Sequence, residues 1–176
     1  NQKTNYKMNN RKVYISGEIV PEVDAKISIF DSAVLLGDTV TESTRTFNFK
    51  PFKLDEHLER LYKSFKLTRI DPQMTIEEMK KVSLELLEIN KDNYKANEDC
   101  WLVHNISRGH SITGGNPALQ VSKPTVMIYT QPMNLVLWAP FYTKGCHAVT
   151  PPTRMVPSQS LDARIKNRSR LFYTLA

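Results

Sequence analysis

The chain opens in short apolar runs broken by polar turns. Val13, Tyr14 and Ile15 precede Ser16, Gly17 and Glu18, and Ile19 and Val20 follow them. A glycine between two apolar runs predicts a hairpin. Residues 26–30 read as another extended piece, and Thr39–Phe47 is dense in the β-branched Thr and Val that suit a pleated surface. Residues 48–51 close that run with turn chemistry. The period then changes. Leu54, Leu58, Leu61 and Phe65 recur at helical spacing and make one narrow apolar stripe. Thr75 with Glu78 forms a capping box, after which Met79, Val82, Leu86 and Ile89 supply the buried face of a second helix. Residues 91–99 are polar and connect onward.

Cys100–Ser107 and residues 125–130 return to strand patterning. Between them, residues 108–123 hold Gly109, Gly114, Gly115 and Pro117, a connection of the length that usually carries function. Residues 146–150 read as strand-like and residues 151–160 as loop. Asp162 is placed to cap a helix running from about Ala163 to Ala176. Strands, then two helices, then strands give an α+β class. The expected division is a small N-terminal α/β domain over 1–131, a linker over 132–140 and the start of a second domain over 141–176. The apolar end at Leu171, Phe172, Tyr173 and Leu175 has no capping glycine, so further chain is expected beyond it.

Composition narrows the function classes. At 176 residues, with 40% hydrophobic and 24% charged positions, the chain can bury a core. No apolar run is long enough to cross a bilayer, and residues 1–11 are polar with no signal-peptide core, so a cytoplasmic protein off the membrane is expected. The net charge of +6 comes from Lys and Arg spread along the chain, which favours a solvated surface. A nucleic-acid binder is the rival reading: Arg154, Arg164, Lys166, Arg168 and Arg170 stand near Phe172 and Tyr173, but in no known binding module. Cys100 and Cys146 form no disulfide framework. The four histidines share no ligand spacing, so no metal is expected.

Three segments carry chemistry together: Leu35 to Glu42, a glycine turn feeding a strand; Lys50 to Leu61, a turn feeding a helix; and Leu161 to Leu171, around Lys166. In that order they resemble the signature of class IV pyridoxal-phosphate enzymes, the family of branched-chain and D-amino-acid aminotransferases, (R)-selective amine transaminases and aminodeoxychorismate lyases. The resemblance spans about the whole chain. It implies a small N-terminal α/β domain, the beginning of a larger cofactor domain, pyridoxal 5'-phosphate between them, and a homodimer. Lys166 matches the lysine that carries the cofactor covalently, and Arg60 the arginine that grips its phosphate.

Both roles make chemical sense. Capturing an aldehyde needs a primary amine, and a planar guanidinium binds two phosphate oxygens at once. The resemblance also places Thr39 and Thr41 on the strand lining the substrate pocket, with Thr41 where many relatives carry a ring. Arg108 is a candidate either to meet a substrate carboxylate or to brace its loop. The family's ring-nitrogen glutamate and phosphate loop are expected beyond Ala176. The leading activity is transamination between an amino acid or amine and a keto acid. A lyase of the aminodeoxychorismate type and a catalytically inactive relative remain open.

Overall fold

A computed structural model describes residues 10–95, 98–110 and 123–176. Six strands form one antiparallel sheet: β1 (Lys12–Ile15), β2 (Glu18–Pro21), β3 (Thr39–Phe47), β4 (Lys50–Pro51), β5 (Cys100–Ser107) and β6 (Thr125–Pro132), in the order β2-β1-β6-β5-β3-β4. The β1–β2 hairpin turns through Ser16 and Gly17, both at positive φ, the second at 112°, a value only glycine adopts without strain. The β3–β4 turn uses Asn48 and Phe49 in the left-handed region.

Two long helices, α2 (Leu54–Thr68) and α3 (Ile76–Asn90), cover one face of the sheet. α1 (Ser32–Leu35), α4 (Leu135–Trp138), α5 (Phe141–Lys144) and α6 (Leu171–Thr174) are single turns. The period-2 pattern of the strands sends Val40, Leu102, Ile106, Val126 and Ile128 inward, against Leu58, Leu61 and Phe65 of α2 and Met79 and Leu86 of α3. Each such side chain contributes roughly 1.5–3 kcal/mol by leaving water. The capping box of α3 forms as expected: Thr75 Oγ1 accepts from Glu78 N–H, and the Glu78 carboxylate accepts from Thr75 N–H. The buried stripe of α3 is rotated from the expected one. Val82 is only partly covered and Ile89 is exposed, while Ser83, Leu87 and Asn90 face inward. Asn90 is buried because its amide clamps both main-chain groups of Lys12 at 2.8 and 2.9 Å.

Three other expectations fail. Residues 26–30 and 146–150 form no strand. The helix expected from Ala163 shrinks to α6. Asp162 does accept from Arg164 N–H at 2.9 Å, but it caps only a turn, closed by Ile165 N–H to Asp162 C=O at 3.0 Å. Beyond the turn, the chain pairs with a strand instead of with itself. Lys166 C=O accepts from Thr41 N–H at 2.9 Å, and Arg168 N–H donates to Thr39 C=O at 3.1 Å, making a bridge between Val40 and Asn167. The cause is an open edge. β5 pairs with β3 on one side from Thr39 to Arg45, whereas β4 covers the other side only at Thr46 and Phe47. Unpaired backbone groups at such an edge attract any chain that can satisfy them. Most of the glycine-bearing connection of residues 108–123 lies outside the described residues.

Candidate functional site

The bridge to β3 delivers Lys166 to the N-terminal half of α2. That helix presents His57, Arg60 and Ser64 on one side, three and then four residues apart, the spacing of a single helical face. Ser64 Oγ sits 3.4 Å from Lys166 N and itself donates to Arg60 C=O.

Between the lysine and the helix lies Glu42. β3 alternates, so Glu42 points to the same inward side as Val40, Thr44 and Thr46, and its side chain is 0% exposed. A bare carboxylate there would be costly, but this one is saturated with donors. Arg60 grips it with a fork, Nε to Oε2 and Nη2 to Oε1, both at 2.7 Å. Lys166 Nζ donates to Oε1 at 3.0 Å, His57 Nδ1 lies 3.1 Å from the same oxygen, and Ser43 N–H donates at 2.8 Å. Burial pushes the Glu42 pKa up, but the bonds from Arg60, Ser43 and Lys166 outweigh it and hold the carboxyl at about 2. Glu42 is therefore an anion at neutral pH, shared by three basic side chains.

Directly across the strand pair, His104 is fully buried, with Nε2 2.8 Å from Ser83 Oγ. Ser83 gives its own proton to Met79 C=O, so His104 carries hydrogen on Nε2, and its Nδ1 has no partner among the described residues. Burial holds its pKa down to about 4, so it is neutral.

Lys166 and Arg60 are not sealed in. Their side chains are 28% and 51% exposed, and both line a groove of about 320 Å³ with Arg164, Arg170, Ile165, Phe172 and Tyr173. Asp162 is the one acidic residue among the described residues of its walls, and Arg164 pairs with it at 2.6 Å. The groove is thus cationic. A larger hollow, about 730 Å³, lies on the other face of the sheet by Val13, Trp101, Met127 and Tyr129. It is set apart from Lys166 by the sheet itself, and its one internal ion pair, Arg11 with Glu22, is already satisfied. The smaller groove is the better candidate because a primary amine and several guanidinium groups converge there.

Of the residues the sequence singled out, the structure brings Lys166 and Arg60 together. Thr39, Thr41 and Arg108 do not line this groove. Thr41 Oγ1 donates to His104 C=O at 2.9 Å inside the sheet, and Thr39 is likewise buried. Their main chain, not their side chains, holds the lysine segment. Arg108 forks onto Asp38 and reaches the carbonyls of Thr68 and Arg69, so it ties the end of α2 to the turn before β3. Glu42 was missed. Its signal was there: an acidic residue on the inward parity of a strand must find cations.

The sequence profile described as Amino-transferase class IV matches residues 39–176, which takes in Glu42, Arg60 and Lys166. The chain belongs to that family. This class IV chain is 36% identical over 165 residues to a candidate branched-chain-amino-acid aminotransferase of Methanocaldococcus jannaschii, covering 94% of the chain and 54% of that protein. It is 32% identical over 120 residues to a D-alanine aminotransferase of Staphylococcus epidermidis, covering 68% of the chain and 41% of the relative. Among solved structures, it matches the branched-chain aminotransferase of Thermoproteus uzoniensis with norvaline at a TM-score of 0.71 and 25% identity, over 89% of the chain and 50% of that protein. The class IV chain therefore spans about half the length, or less, of the relatives it matches. Two further fold matches, both branched-chain aminotransferases, hold N-(5'-phosphopyridoxyl)-L-glutamate and pyridoxamine 5'-phosphate.

The residues present fit such a group. Lys166 offers a primary amine that reaches a groove, and the groove's excess of cations suits a phosphate. Arg60 keeps Nη1 without a partner among the described residues, because Glu42 engages only Nε and Nη2. No helix among the described residues is long and apolar enough to cross a membrane, and no cluster there could hold a metal.

Proposed function

We propose that this chain is the N-terminal part of a pyridoxal 5'-phosphate-dependent transaminase that moves an amino group between an amino acid or amine and a keto acid. One observation carries the reading: the Lys166 amine and the Arg60 guanidinium meet on one buried carboxylate at the wall of a cationic groove. Pyridoxal phosphate, when bound, supplies an aldehyde and a conjugated ring that accepts electrons. The protein's share is binding, orientation and proton transfer. Lys166 Nζ would hold the cofactor, and once displaced from it would be the amine positioned to take and return a proton. Arg60 would grip the phosphate, and Arg164 and Arg170 add positive charge along the same wall. Thr39 and Thr41 would support the lysine through their main chain, and Arg108 would brace the approach to β3. Residues 1–131 and 141–176 would belong to two domains, joined through residues 132–140, in a cytoplasmic homodimer.

Full-length protein given pyridoxal phosphate should gain visible absorbance. Borohydride reduction should then fix the label on the peptide containing Lys166. Lys166→Ala should abolish both signals, and a label that persists on another lysine would overturn the assignment.

A further inference from the structure

We propose that Glu42 is the positioning carboxylate of this site: by taking one edge of the Arg60 guanidinium, it turns the other edge to the groove and so sets the preference for a phosphate-bearing ligand. The inference rests on the proposed cofactor role of Lys166 and Arg60, and adds to it a residue that touches neither cofactor nor substrate.

Its basis is the division of donors on Arg60. A guanidinium has five N–H bonds, arranged as two forks in one plane. Glu42 occupies the fork made by Nε and Nη2. What remains is the adjacent fork, built from Nη1 and the second hydrogen of Nη2, a nitrogen that also lies 3.4 Å from His57 Nδ1. With the first fork bound at 2.7 Å on both arms to a carboxylate that cannot move, the second has one direction left to it. The half-exposed arginine is thereby fixed before any ligand arrives, and the rotamer entropy that a free arginine would lose on binding is already spent. Lys166 is referenced to the same oxygen through its 3.0 Å bond. One buried group therefore sets the spacing of the amine and the anion-binding fork. His57 and Ser43 add donors to Oε1, so Glu42 stays seated when the lysine lets go.

The reading separates Glu42 from a residue that merely stabilises the sheet. A structural role would affect all ligands alike, whereas a positioning role acts through the phosphate. The test compares pyridoxal 5'-phosphate with pyridoxal, which has the same aldehyde and no phosphate. Full-length cofactor-free protein is titrated with each, following quenching of tryptophan fluorescence, together with the melting temperature of each variant. In Glu42→Gln one acceptor oxygen is lost and an amide donor faces Arg60. The affinity ratio between the two ligands should fall about tenfold, the scale of one charge-assisted hydrogen bond, with pyridoxal affinity held within about twofold. Arg60→Ala should show the same loss, and the double variant no more than either single one.

Arg60→Lys supplies an independent arm that leaves Glu42 in place and keeps a positive charge beside it. An ammonium has no second fork but keeps the charge, so the ratio should fall, by less than in Arg60→Ala. A ratio unchanged in Glu42→Gln or in Arg60→Lys would overturn the proposal, and so would an equal loss for both ligands. Should the wild-type protein itself show no preference and no borohydride label on Lys166, it is the underlying cofactor reading that fails.

Discussion

Glu42 and His104 face each other across β3 and β5, and both make the folded state sensitive to acid. Glu42 is held at about 2 against an ordinary 4.5. Its contribution is present above pH 4.5 and is lost as pH falls from there toward 2. His104 is held at about 4 against 6.5. The unfolded chain binds that proton below 6.5 while the folded one refuses it, so stability falls as pH drops from 6.5 to 4. Each shift corresponds to about 3 kcal/mol. Urea unfolding at a series of pH values should show a two-part loss. His104→Gln should flatten the upper part, and Glu42→Gln the lower; one step that neither substitution changes would count against this account. At this scale the sequence was half legible. Lys166 and Arg60 could be singled out because each sits in a recognisable run of neighbours. Glu42 could be read only as an inward-facing carboxylate in need of cations; which cations they are emerges when a strand and a helix bring 42 and 60 together. Thr41 shows the same limit: the resemblance puts it on the pocket strand, and only the fold shows that its hydroxyl donates to His104 C=O.

Among the elements, α2 and α3 follow from the helical period of their apolar residues, and β1, β2, β3, β5 and β6 from short apolar or β-branched runs bounded by turns, because these signals are local. The stretch after Ala163 shows where that logic stops. Its spacing allows a helix, but an unpaired strand edge more than a hundred residues earlier offers better partners for Lys166 and Arg168. The edge should be what holds the lysine. Arg168→Pro removes the N–H that donates to Thr39 C=O. It should sharply reduce borohydride labelling of Lys166 in the full-length protein, while the main thermal transition, set by the α2–α3 core, shifts by only a few degrees. Retained labelling would show that the lysine is positioned by something else.

For the whole molecule, the surface is as informative as the core. Ile29, Phe30, Val34, Leu35 and Leu36 are all half exposed or more, within a single short stretch that closes onto β3. Leu171, Tyr173 and Leu175 are exposed in the same way near the groove. Apolar clusters of this kind mark contact surfaces. In the proposed homodimer the first of them is the natural contact between copies. Full-length protein should run as a dimer in light scattering, and Ile29→Glu with Phe30→Glu should yield a monomer that keeps its far-ultraviolet circular dichroism. A dimer unaffected by the double substitution would move the contact elsewhere.

The bond between Lys166 and Glu42 joins residues 124 positions apart. During synthesis at roughly 5–20 residues per second, β3 and α2 leave the ribosome on the order of ten seconds before the lysine does. Glu42 and Arg60 can pair once β5, the strand that holds β3, has followed them out, still well before the lysine. Closing the longer loop costs on the order of 4 kcal/mol in chain entropy, repaid only when the whole edge of β3 is filled. In that order of emergence the pair proposed to bind the anion is available first, and the amine that would hold the cofactor arrives last.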